Sequence, residues 1–388
     1  MTIVQQRVLR PRFLVAGLFL LVFLMGADSF IISPLLVTIA HGYQATVARA
    51  ALGVTVYAVC YAGGAPFLGP LGERYPAKRL LLGGASVFLV GNLGCAVAPT
   101  LGWFYVCRAI TGLGAALALP NVWATLGRVF RGKQLAVAMG VTMAALSLAI
   151  ALGVPLGTAV AAVIGWHGIF WGGAGVSLVC LGVLSVVVPE FPGATKALAY
   201  RTSFRQVSQT PHVVRSLGVT LAWMLGFYAL YTFLGPALMR ELGQTTRQVG
   251  RDLMVYGGGN FLASFGSGYL TSRVGLLRSV RVTGSLSVLC VFSLGSFWGG
   301  LTGVLVSLLL LALVQGWGVT ALTTYVVQLA PTNRTTVMAL NNAGLYLGLT
   351  LGSLLGGRLF QVGGLGGVGL LAAGALISAV ALTRGLPE

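Results

Sequence analysis

Gly69-Pro-Leu-Gly-Glu-Arg-Tyr-Pro-Ala-Lys-Arg79 is a charged turn between two apolar runs, each of about the length a helix needs to cross a bilayer. It recurs as Gly268-Tyr-Leu-Thr-Ser-Arg-Val-Gly-Leu-Leu-Arg278, with Gly69, Leu71, Arg74 and Arg79 falling on Gly268, Leu270, Arg273 and Arg278 at a constant offset of 199. The offset holds far from the turn, carrying Tyr57 onto Tyr256, Met139 onto Met338, Gly153 onto Gly352 and Gly157 onto Gly356. It slips slightly in the first helix of each half, where Pro34 corresponds to Pro236. The chain therefore reads as two copies of one unit.

Those copies are not soluble domains. Of 388 residues, 57% are hydrophobic, 8% are charged and 57 are glycine, whereas a soluble domain carries about 25% charged residues. Apolar runs of about 20 residues select helices over the shorter, alternating strands of a barrel. Abundant glycine fits helices that approach one another closely in lipid. The formal charge of +18 is scattered through short turns, so it reads as topology and not as a nucleic-acid surface.

Twelve spans are expected, near 13–36, 50–71, 80–98, 101–124, 135–163 and 168–189, then 214–238, 250–271, 280–298, 301–325, 335–360 and 364–383. All 24 Lys and Arg except Arg49, Arg108, Arg240, Arg247, Arg251 and Arg358 fall on the side that holds the N-terminus. The positive-inside rule then places both termini in the cytoplasm of a multi-pass cell-membrane protein. Residues 1–190 are expected to form one six-helix bundle and 214–388 the other, with 191–213 as the cytoplasmic linker. An even number of spans per unit gives both copies one orientation, so a cavity can form between them. The five cysteines lie in apolar runs without metal-ligand spacing, which leaves them as packing residues.

The turn follows G-x-L-x-D-R-x-G-x-[RK]-[RK], with Glu73 in the acidic position and Pro76 where glycine is usual. The fourth span carries Arg108-Ala-Ile-Thr-Gly112-Leu-Gly114-Ala-Ala, and the fifth carries Gly153-Val-Pro155-Leu-Gly157-Thr. With these motifs the sequence resembles the major facilitator superfamily, and within it the twelve-helix proton-coupled exporters of drugs and sugars. The resemblance implies an all-α membrane fold of two pseudo-symmetric six-helix bundles. It also implies a conformational latch at Gly69, Glu73, Arg74, Lys78 and Arg79, and a sealing role for the helix-five motif Gly153, Pro155 and Gly157. Physically, the Glu73 carboxylate can bind the positive end of the eleventh helix, a contact of about 0.3 to 2 kcal/mol. Proline removes a backbone hydrogen bond and bends helix five, and Leu354 in the second copy leaves that bend one-sided.

Acidic residues are scarce: Asp28, Glu73, Glu190, Glu241, Asp252 and Glu388. Asp28 alone lies well inside a span, where an ionisable group marks function by default. Arg108 is the basic residue at comparable depth. Both sit about 10 to 12 Å below the outer surface on the expected spans, which makes them candidate neighbours and the candidate proton-coupling pair. Substrate contacts are expected from polar and aromatic residues at helical spacing: Tyr57, Tyr61, Trp223, Phe227, Tyr231, Asn260, Gln315, Asn341, Asn342 and Tyr346.

The expected function is proton-coupled export of a small organic molecule by alternating access, with a sugar or nutrient symporter or an uncoupled facilitator as the alternative. The expected partners are that substrate, protons and the lipid bilayer, for a monomer that binds no nucleic acid and needs no cofactor or metal. A membrane enzyme is disfavoured, because no nucleophile with its base is visible at membrane depth.

Overall fold

A computed structural model describes residues 11–68, 71, 75–130, 132–190, 205, 207, 209–296, 300–329 and 334–387. The first half comprises α1 (Pro11–Gly42), α2 (Val47–Leu68), α3 (Ala77–Ala96), α4 (Leu101–Val129), α5 and α6 (Trp166–Val187). Helix α5 runs from Gly132–Leu148 through a π-helical turn, Ala149–Gly153, into Val154–Ile164. The second half comprises α7 (Val213–Leu242), α8 (Thr246–Val274), α9 (Leu276–Gly295), α10 (Gly300–Leu329) and the stretch Arg334–Thr383, which breaks at Gly364 into α11 and α12. The twelve helices match the number expected.

Local chemistry sets the boundaries. Thr100 caps α4 by accepting the Trp103 N–H, and Thr245 forms a reciprocal capping box with Gln248 at the start of α8. The α5–α6 joint is Gly165 at φ 78°, and the α11–α12 joint is Gly364 at φ 57°. These two glycines are 199 residues apart, so the sequence period returns as a backbone conformation that a side chain would strain. Ten of the helical segments among the described residues are long and apolar enough to span a bilayer. Helix α8 falls outside that set because Tyr256, Asn260, Ser264 and Ser267 interrupt its apolar run.

Several helices run a few residues past the expected ends, α1 furthest, and α5 carries an unexpected turn. Helix α1 continues six residues past the expected end at 36 to Gly42, because Leu36, Ile39 and Ala40 are covered by other helices and not by lipid. Helix α5 contains a π turn that hydropathy does not encode. Pro155 has no N–H to offer, and the Val154 N–H reaches back five residues to the Ala149 carbonyl. The charged turn itself, Gly69, Glu73 and Arg74 included, lies outside the described residues apart from Leu71 and the Tyr75–Arg79 end.

Packing follows the repeat. Helices α3, α6 and α9 make their main contacts within their own half, whereas α1 meets α7, α2 meets α11 and α5 meets α8 across the centre. Helix α4 approaches α2 closely at Gly112, where a Cβ would collide with the Tyr57 carbonyl oxygen. Backbone cannot yield as a flexible side chain would. Gly112→Ala is therefore expected to cost about 1 to 3 kcal/mol through overpacking, read as a lower midpoint in fluorescence-detected unfolding of detergent-purified protein. Gly182→Ala, whose Cβ meets nothing within 4 Å, is expected to leave the midpoint unchanged or slightly raised.

Candidate functional site

The site begins with two residues one helical turn apart on α4. Gly112 admits the α2 backbone, and Arg108, four residues earlier, reaches beneath the α2 side chain that this approach brings in. The Arg108 guanidinium lies 4.6 Å from the centroid of the Tyr57 ring. Its Nη1 donates to Asp28 Oδ2 of α1 at 2.7 Å, with side-chain exposures of 1% and 6%. A charge-assisted bond of this length offsets part of the cost of desolvating both ions. The Arg108 Nε–H is buried without a hydrogen-bond partner, which leaves one unfilled donor beside the pair.

Asp28 lies deeper along its own helix than the expected spans imply. It is 14 residues from Gly42, about 21 Å at 1.5 Å per residue, whereas Arg108 is seven residues from Leu101, about 10 Å. The two still meet because α1 overshoots α4 at that end of the bundle.

Aromatic groups wall this pair. Ser29 donates to the Tyr57 hydroxyl at 3.2 Å, and Tyr61 stacks on Tyr346 of α11 with ring centroids 3.6 Å apart. On the neighbouring face, Phe227 stacks on Tyr256 at 5.4 Å and Tyr231 meets Phe30 edge-on at 5.5 Å. The Tyr231 hydroxyl is buried and unpartnered. Asn260 of α8 accepts from Ser147 of α5 at 3.2 Å, a contact between halves near mid-height.

Trp223, Gln315 and Asn341 make their contacts within the second half. Trp223 is enclosed against Gly284 of α9 and Gly318 of α10, and its indole N–H donates to Gln315, so both belong to the interior of the second half. Their helical spacing with Phe227 and Tyr231 does not put them on the same wall, because α7 is covered on more than one side. Asn341 accepts from Thr220 of α7 at 2.8 Å, which ties α11 to α7 within that half. Asn342 is half-buried.

Helix five packs its motif onto α1. A Cβ on Gly153 would stand 2.8 Å from Ala27, next to Asp28, and one on Gly157 would stand 2.7 Å from Ile31. The same π turn faces α8, where Gly257 lies against the Ala151 backbone. Pro155 sits between the two glycines, just beyond that turn. Lys78 and Arg79 occupy the first turn of α3, half-buried and exposed respectively.

The end of the bundle opposite the termini is closed by neutral groups. Ser33 donates to the Tyr231 and Thr232 carbonyls, Thr55 bonds Ser353 at 2.7 Å, and Gln361 donates to Thr46. Sequence reading missed Ser29, Ser33, Thr55 and Ser147, since a hydroxyl inside an apolar run looks like a packing residue. Tyr256 carried a usable signal, the 199-residue correspondence with Tyr57.

The sequence model of the Major Facilitator Superfamily matches residues 18–297 and 216–388. A relative named as an uncharacterized MFS-type transporter, YwfA of Bacillus subtilis (strain 168), is 32% identical over 379 residues, covering 94% of this chain and 89% of that protein. A chloramphenicol resistance protein of Streptomyces lividans is 26% identical over 255 residues, 64% of each chain. Among solved structures, a D-xylose-proton symporter superposes with a TM-score of 0.82 at 15% identity, over 97% of this chain and 98% of its own. The human organic anion transporter MFSD10 gives a TM-score of 0.75 at 18% identity, over 96% and 99%. A family match of that extent, carried by a twelve-helix fold built from two related halves, makes this chain a member of the major facilitator superfamily of multi-pass membrane transporters.

Proposed function

We propose that the protein is a proton-coupled exporter of a small, partly apolar organic compound, seated in the cell membrane with both termini in the cytoplasm. The observation that carries this reading is the Asp28–Arg108 pair, held 2.7 Å apart inside the bundle with one guanidinium N–H unfilled. A proton arriving on Asp28 cancels its charge and releases Arg108 from its partner. The freed guanidinium then turns to another acceptor, on the substrate or on the chain, which couples protonation to a change of state. The aromatic wall of Tyr57, Tyr61, Tyr346, Phe227 and Tyr231 supplies apolar area with hydroxyls for orientation.

In this reading residues 1–190 and 214–388 rock about the site, joined by 191–213. The neutral seal described above is the outer gate, and Glu73 with Arg74 belongs to a latch at the cytoplasmic gate. The name of the Streptomyces relative makes chloramphenicol the first compound to test.

Purified protein in proteoliposomes, given an imposed pH gradient, is expected to move chloramphenicol against the direction of proton flow and to stop when a protonophore is added. Asp28→Asn is expected to reduce gradient-driven transport at least tenfold. Undiminished transport by that variant sinks the assignment of the proton site, and proton flow in the substrate's direction makes the protein a symporter.

Removing one partner of a buried pair leaves an uncompensated charge, at a cost of about 3 to 5 kcal/mol. Asp28→Asn is accordingly expected to lower the unfolding midpoint, and Asp28→Asn with Arg108→Gln to recover part of the loss. A double variant that is as unstable as the sum of the singles contradicts direct pairing.

A further inference from the structure

The first helix of each half carries a proline, Pro34 in α1 and Pro236 in α7, and the residue before each proline differs: Ser33 in one copy, Gly235 in the other. These repeat-related dipeptides face each other across the centre. A Cβ on Gly235 would stand 2.8 Å from the Pro34 Cα and the Ser33 carbonyl oxygen, so the glycine allows the two backbones to touch. Pro236 has no N–H, which deprives the Thr232 carbonyl four residues earlier of its helical donor. Ser33 Oγ lies 2.7 Å from the Tyr231 carbonyl and 3.1 Å from the Thr232 carbonyl, and its single proton is shared between them. Both carbonyls are inside a buried stretch of α7, and Ser33 is itself buried.

We infer that Ser33 is the positioning residue of the outer gate: it donates across the centre to two successive α7 carbonyls, Tyr231 at 2.7 Å and, at 3.1 Å, Thr232, which Pro236 leaves without its helical donor, and so holds the sealed state. The inference rests on the alternating-access reading above. A buried carbonyl in apolar surroundings finds no other donor readily, so separating α1 from α7 strands it unless water enters. The bond therefore exists only when this end of the bundle is closed. The neighbouring contacts Thr55 to Ser353 and Thr38 to Thr246 join hydroxyls that can each turn to their own helix, and they lack this dependence. The Ser33 contact is also asymmetric, since the second copy has Gly235 where the first has the hydroxyl.

The test reads the gate directly. In full-length protein with its five cysteines replaced, spin labels at Arg49→Cys and Arg247→Cys, both exposed at this end and on opposite halves, report open and sealed distances by pulsed electron resonance in nanodiscs. Ser33→Ala is expected to raise the open-to-sealed ratio about fivefold, the size of one lost neutral hydrogen bond, and Ser33→Thr is expected to restore it. Pro236→Ala returns an N–H to α7. In that background Ser33→Ala is expected to change the ratio by less than it does with Pro236 in place, because only the Tyr231 contact is then lost.

An effect of Ser33→Ala that is equal in both backgrounds, or absent from both while the wild type shows two distances, overturns this link and leaves alternating access standing. A single fixed distance in every variant at every pH overturns both. The ratio is independent of which compound is carried and of which residue takes the proton.

Discussion

A carboxylate and a guanidinium held 2.7 Å apart inside an apolar bundle constrain everything around them. Either ion without the other is an uncompensated charge in apolar surroundings, and their bond ties α1 to α4. Arg108 needs Tyr57 above it, Tyr57 needs α2 close to α4, and that closeness needs Gly112 to lack a side chain. Asp28 in turn needs α1 to run deep beside α5, where Gly153 gives room next to Ala27. The motifs on the fourth and fifth helices are thus two supports of one ion pair. Their glycines set helix spacing, and helix spacing sets the reach of the charged groups.

Much of this was legible in the sequence because lipid simplifies the problem. Without water, backbone groups must pair within a segment, so apolar length alone gives helices and their number. The 199-residue period gave the relation between halves, and it returns as positive φ at Gly165 and Gly364. Asp28 and Arg108 stood out because charges are rare at that depth. Helix ends were less legible where a helix leaves the lipid but stays covered by protein, as α1 does between Leu36 and Gly42. The π turn was hidden as well, since hydropathy registers which side chains are apolar and not which carbonyl a proline leaves free.

Side-chain direction around a helix was the least legible feature. Trp223, Phe227 and Tyr231 recur every fourth residue on α7, and a lone amphipathic helix would present them on one wall. Here α7 touches α1, α8, α10 and α11, so apolar contact is available on nearly every side and periodicity loses its power to discriminate. Trp223 packs between α9 and α10, while Tyr231 meets Phe30 of α1. Small hydroxyls are ambiguous for a related reason. Ser177 and Thr125 bond their own helix's carbonyls, whereas Ser33 and Thr55 bond across the centre, and composition does not separate the two uses.

The departures from symmetry include the buried ion pair and one of the contacts across the centre. Two identical halves about a central axis would give each helix pair the same contact twice, with nothing to distinguish a residue from its repeat mate. The halves of this chain differ at most positions, and four of the differences bear on the groups described above: Glu73 against Ser272, Pro155 against Leu354, Ser33 against Gly235, and Asp28 with Arg108 in the first half alone. At these four the polar or stiff member is in the first copy, whereas Gly53 against Asp252 and Ala116 against Gln315 run the other way. The buried ion pair thus belongs to the first half, and Ser33 of that half meets backbone carbonyls of the second. The polar contacts across the centre are single neutral hydrogen bonds, each worth about 0.5 to 1.5 kcal/mol, so exchanging one of them shifts a balance between states by no more than that. An interface made of many strong contacts would hold one state too firmly to alternate.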